Sequence, residues 1–200
     1  MKTVYIAGKN PIPEQISLQA GEHLDMTVIV MPGVSCDIPL RVDLLGQGAE
    51  VMLRGLYLCN ADEKVKISVD LRHEVGGCTS RQVFKGIVGG NAHSDFYGQI
   101  YVRKDAQQTK AYQENHNLLL TDTARVDTRP QLEIYADDVE CSHGATIGRL
   151  NEEEQYYMRS RGIPEKEARV LQMISFVSPV VEAIDDENLK EKIYDCLAEC

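Results

Sequence analysis

The sequence predicts a mainly β body followed by a small α-helical tail, and three observations carry that prediction. From Val28 to Ile147 the chain is a series of short β-type runs that alternate apolar and polar residues, punctuated by Gly, Asp and Asn. No long segment of helical period separates these runs. After Leu150 the apolar spacing turns helical. Strands without crossover helices rule out a doubly wound α/β fold and leave a sandwich, a barrel or a β-solenoid. An internal echo favours the solenoid, because Phe84-Lys85-Gly86-Ile87-Val88 returns as Phe96-Tyr97-Gly98-Gln99-Ile100. Turns that bury their apolar face only against their neighbours are expected to repeat in this imperfect way. On periodicity alone the sandwich stays level with the solenoid.

The elements follow in chain order. Residues 1–27 form a lead-in without a clear period. Val28-Ile29-Val30, Val51-Met52-Leu53 and Val65-Lys66-Ile67-Ser68-Val69 open the body. Ile87-Val88, Ile100-Tyr101-Val102, Leu118-Leu119-Leu120 and Leu132-Glu133-Ile134 continue it. In the tail, Asn151 can cap a helix whose first turn holds Glu152, Glu153 and Glu154, with Glu154 at the capping-box position. Gly162 can end that helix and Pro164 can open the next. Ala168, Leu171, Ile174, Phe176 and Val177 keep near-helical spacing, and Pro179 is expected to kink or interrupt the helix. Asp185 or Asp186 can cap a last helix carrying Leu189, Ile193, Tyr194 and Leu197. The expected organisation is a β body over 1–150 and a helical segment over 151–200.

A chain of 200 residues can bury a core without disulfides. A hydrophobic content of 43% excludes a wholly disordered chain. Acidic residues number 31 against 21 basic, for a net charge of −10. Binding to phosphate or anionic lipid needs clustered positive charge, so neither nucleic acid nor a membrane surface is expected as a main partner. No apolar run approaches the roughly 20 residues of a membrane span. Met1-Lys2-Thr3-Val4-Tyr5 leads into no stretch that resembles a signal peptide, and a cytoplasmic location is expected. The six cysteines include no Cys-x-x-Cys, which removes the usual signatures of zinc ribbons and thioredoxin-type sites. Cys36, Cys59 and Cys78 read as apolar filler, and Cys196 and Cys200 as part of a frayed tail. His73, His93 and His116 read as structural rather than ligating. Phosphate loops of the Gly-x-x-x-x-Gly-Lys type, Gly-x-Ser-x-Gly elbows and His-Glu-x-x-His motifs are absent. The chain is therefore not expected to be an enzyme, and any ATPase activity has to come from a partner.

One segment carries a family likeness. Pro130-Gln131-Leu132-Glu133-Ile134 is followed by Asp137-Asp138-Val139 and then by Cys141-Ser142-His143-Gly144-Ala145-Thr146-Ile147-Gly148. Tyr156-Tyr157-Met158-Arg159-Ser160-Arg161-Gly162-Ile163 and Glu167-Ala168-Arg169 come next. Upstream, Gly86, Gln113, Asn115 and the Leu118–Leu120 run agree. In order and separation this resembles the SufB/SufD family, the scaffold proteins of the SUF iron–sulfur cluster assembly system. The resemblance is traced from residue 65 to residue 184.

The resemblance implies a right-handed parallel β-helix followed by helices, which tips the open choice towards the solenoid. It implies work in a complex with the ABC-type ATPase SufC and a SufB-type subunit, or with a second copy of the chain as a homodimer. SufC docking is implied on the C-terminal helices, and the candidate contacts are Glu154, Tyr157, Arg161, Ile163, Leu171 and Phe176. The Cys-Ser-His-Gly-Ala-Thr wording resembles the SufD branch; Gly144 stands where the SufB branch has a glutamate. In SufD-type chains the motif's histidine faces the SufB subunit at the cluster site, which makes His143 and its neighbour Cys141 the metal or cluster candidates. No catalytic residue is implied. Thiolate and imidazole are suitable ligands for iron–sulfur intermediates. Positions i and i+2 share one face of a strand. No tightly bound cofactor is expected, and a transient iron–sulfur cluster fits the implied role. The alternative is a homodimeric structural or interaction protein that keeps the fold without cluster chemistry.

Overall fold

The computed structural model describes residues 2–200. The β body runs β1 Lys2–Ile6, β2 Gln15–Leu18, β3 His23–Val30, β4 Cys36–Leu44, β5 Glu50–Cys59, β6 Lys64–His73, β7 Thr79–Val88, β8 His93–Val102, β9 Thr109–Leu119, β10 Arg125–Ile134 and β11 Val139–Gly148. The tail holds α1 Glu152–Ser160, α2 Glu165–Val181 and α3 Glu187–Glu199. Successive strands alternate between two sheets. One sheet is ordered β1-β3-β5-β7-β9-β11 and the other β2-β4-β6-β8-β10. Every pairing is parallel and joins strands two places apart in the chain. This is a flattened parallel solenoid, and the sandwich alternative falls. The lead-in that carried no clear period supplies β1, β2 and the start of β3.

Glu50 lies beside Thr79, and Thr79 beside Lys110, so one turn takes about thirty residues, within the range of solenoid repeats. The Phe84/Phe96 echo is therefore half a turn rather than a whole one. The two rings sit on facing strands, with centroids 4.9 Å apart. The corner leading into the six-stranded sheet is turned at positive φ by Gly21, Gly48 and Gly77, and then by Gln108. These corners stack, with Gly48 N donating to Gly77 O at 3.3 Å and Gly77 N to Gln107 O at 2.9 Å.

The main core lies between the sheets, where inward residues such as Val51, Leu53, Ile67, Val69 and Leu71 stack turn on turn. Neighbouring strands are only about 4.8 Å apart, so a large ring needs a small neighbour above or below it. Gly55 and Gly86 meet that need. A Cβ on Gly55 would overlap the Phe84 ring, and one on Gly86 would overlap the Tyr57 ring. A second apolar layer covers the outer face of the six-stranded sheet. There Ile29, Leu56, Leu58 and Ile87 pack against Met173, Val177, Val180 and Val181 of α2 and Leu189, Ile193 and Leu197 of α3. The run Leu56-Tyr57-Leu58-Cys59 loses its alternation because both of its faces are buried.

The tail departs from expectation in three places. Asn151 caps α1, its side chain accepting from Glu153 N at 2.9 Å and Glu154 N at 3.2 Å. Glu154 does not close a capping box; its carboxylate accepts from Gln172 Nε2 at 2.7 Å and ties α1 to α2. Pro179 does not interrupt α2, which runs on to Val181. The proline leaves the carbonyl of Ser175 without its backbone donor, and the hydroxyl of Ser178 takes that place at 3.0 Å. Cys196 and Cys200 do not fray: α3 extends to Glu199, and both cysteines pack against the helix–sheet layer. Asp186 is the cap of α3, accepting from Leu189 N at 3.2 Å. Among the described residues, no helix is long and apolar enough to cross a membrane.

Candidate functional site

Strands β10 and β11 form the last turn. Each has a sheet neighbour on one side only, β8 and β9 respectively. No residue of either strand is buried, and Ile134 and Ile147 are exposed. The solenoid thus ends on two open strand edges and an uncovered inner face. Such edges are templates for pairing with another chain.

Cys141 and His143 lie on that face. Cys141 pairs with Ala111 and His143 with Gln113, both of which are buried inward residues of β9. Register partners in a parallel pair share a face, so the two candidates face the interior at the open end. Cys141 is half-buried against Ile100, Val102, Ala106, Ala111 and Ala136. Burial pushes its thiol up, opposed more weakly by a backbone hydrogen bond from Ala111. At neutral pH it is therefore protonated, and a metal must displace a proton to bind it. His143 is exposed. Among the described residues no group of three His, Cys, Asp or Glu side chains is placed to hold a metal ion. The pair supplies part of a ligand set.

Below His143 and onward along β9 the interior turns polar. The inward side of β9 reads Ala111, Gln113, Asn115, Asn117, all of them buried. Gln113 Nε2 donates to Gln82 Oε1 at 3.2 Å, Asn115 Nδ2 to Tyr57 Oη at 3.0 Å and Asn117 Nδ2 to Asn115 Oδ1 at 2.8 Å. The Tyr57 hydroxyl donates to Asn117 Oδ1, and burial holds its pKa above the usual range. A period-two phase of polar residues on an inward face is the signal that would have found this network. Sequence reading met Gln113 and Asn115 only as family likeness.

The structure brings some partner-surface candidates together and separates others. Glu154, Tyr157 and Leu171 line one cleft between α1 and α2, and Tyr157 and Leu171 are exposed. Arg161 and Ile163 lie at the turn between those helices, with the Arg161 guanidinium over the Tyr157 ring at 5.4 Å. Phe176 sits apart, packed against the helix–sheet layer with Lys85 Nζ over its ring at 4.6 Å. Arg159 pairs with Glu165, in the first turn of α2, at 3.5 Å. The remaining histidines do not gather. His73 is buried against Ser80, His93 pairs with Asp127, and His116 bonds Thr146.

Residues 13–176 match the family described as SUF system FeS cluster assembly, SufBD core domain. The chain belongs to the SufBD core family. The SufBD match begins well before residue 65, where the motifs first make the likeness visible, and takes in the weakly patterned strands β2 to β5. The chain is 41% identical over 150 residues to the iron–sulfur cluster assembly protein SufD of Escherichia coli, covering 75% of this chain and 36% of that protein. It is 38% identical over 131 residues to an iron–sulfur cluster assembly SufBD family protein of Synechocystis, covering 66% of this chain and 28% of the relative. To SufD of Plasmodium berghei it is 32% identical over 182 residues, covering 90% of this chain and 14% of that protein. The chain therefore spans about a third or less of the length of these relatives.

Proposed function

We propose that the chain acts as a SufD-like scaffold subunit in cytoplasmic iron–sulfur cluster assembly. The observation that carries this reading is the open last turn, which presents Cys141 and His143 on one uncovered inner face. A second subunit, of SufB type or a second copy, covers the two strand edges by continuing both sheets. The partner then completes the ligand set around a nascent cluster. A shared, incomplete set suits cargo that must be released, whereas four thiolates from one chain would retain it. The cleft of Glu154, Tyr157 and Leu171 offers exposed apolar and acidic groups to an ABC-type ATPase, which supplies the nucleotide chemistry. The chain's own part is to hold and orient.

The test is anaerobic co-purification with the cognate SufC and SufB proteins, followed by iron reconstitution. The expected result is a complex that gains iron, and a His143→Ala complex that assembles equally well but loads several-fold less. Unchanged iron loading in His143→Ala removes the ligand role. A homodimer that ignores both partners and takes up no iron favours the alternative, a structural member of the family.

A further inference from the structure

The polar interior behind His143 is incompletely paired. His143 stands beside Gln113 in the register, and Gln113 beside Gln82, so the three form one inward column across three turns. Both glutamines are buried. Gln113 Nε2 donates to Gln82 Oε1 at 3.2 Å. That contact orients the amide and leaves Gln113 Oε1 buried without a donor. The Gln113 donor meets the Gln82 carbonyl of the turn below, Gln82 Nε2 has no acceptor of its own, and His143 occupies the step above Gln113. Turns lie about 4.8 Å apart, within reach of an imidazole. A buried carbonyl without a donor is unfavourable, while an exposed imidazole changes rotamer easily.

We propose that Gln113 is the positioning residue for His143. Its Oε1 accepts the hydrogen of one ring nitrogen, fixes a single tautomer and turns the lone pair of the other nitrogen out through the open end towards iron. Metal-binding histidines are commonly held in this way by a carbonyl or carboxylate behind them. The inference rests on the reading of His143 as a ligand. One rival for the same hydrogen is Thr128 Oγ1, also buried and unpaired, on the facing strand β10.

Side-chain nitrogen-15 spectra of the full chain at mildly alkaline pH report the His143 tautomer without any metal. The wild type is expected to show one tautomer. Gln113→Leu is expected to show a mixture and to weaken iron binding about 10- to 100-fold. Gln113→Glu keeps an acceptor and is expected to restore both. Far-UV circular dichroism checks the fold, and Gln113→Met serves if the leucine variant unfolds. An unchanged tautomer in the folded Gln113→Leu or Gln113→Met protein overturns the proposal, as does a change produced by Thr128→Val instead. If the tautomer responds to Gln113 but the wild type binds no iron, the link to Gln113 stands and the ligand role of His143 falls.

Discussion

His73 makes the stability of the solenoid depend on acid. Its ring is fully buried at the end of β6, with Nε2 2.9 Å from Ser80 Oγ and Nδ1 without a partner. Burial lowers its pKa from 6.5 to about 4. Above 6.5 the histidine is neutral in both the folded and the unfolded chain and contributes nothing to pH dependence. As pH falls below 6.5 the unfolded chain takes a proton that the folded one refuses, so stability is lost. The loss stops near pH 4, where the folded protein is protonated as well. Over that window it amounts to about 3 kcal/mol, at about 1.4 kcal/mol per pH unit. In urea, a change of this size moves the unfolding midpoint by about 1–2 M. The assay is urea unfolding of wild type and His73→Gln at several pH values, because glutamine can keep a bond to Ser80 without titrating. Carboxylates also destabilise at low pH, but they do so in both proteins, and the difference isolates His73. If the two midpoints fall in parallel between pH 6.5 and 4, the buried neutral histidine is not the cause and the reasoning fails.

Two further substitutions probe the packing that positions the site. Gly55→Ala pushes a methyl group into the Phe84 ring, and a loss of about 1–3 kcal/mol is expected in thermal unfolding; Phe84→Leu in the same chain should recover part of it. Leu58→Ala empties a fully buried position beneath the helical layer and should cost about 2–5 kcal/mol. Hydrogen exchange should then quicken in α2 and α3 before it does in the inner strands, and uniform quickening would show that the helices and solenoid open together.

The shared face of the two candidate ligands was readable from the sequence. Cys141 and His143 at i and i+2, on a strand type that alternates faces, were bound to share a face. Asn151 capped α1 as its position required, because that contact is local and needs only a few neighbouring residues. Elements that failed did so through distant partners. Glu154 found Gln172 in the next helix instead of its own cap. The Phe84 echo was real, but its partner lay across the interior rather than one turn along.

By itself, then, the sequence determined the β character of the body, the helical tail, the acidic charge and the motif that carries Cys141 and His143. These are properties of composition, of local period and of short segments, and they follow from chain chemistry within a few residues. The family resemblance already implied a parallel solenoid; tertiary structure alone decided which strands stand side by side, that helices cover one outer face, and that β10 and β11 are left as the open end. It also decided that Gln82, Gln113 and His143 stand in one column. Those facts depend on register between residues about thirty positions apart, where each pairing gains its stability from turns above and below it. No local pattern records which residue will lie beside which, and it is that stacking that places His143 over a polar column and Cys141 against an apolar cluster.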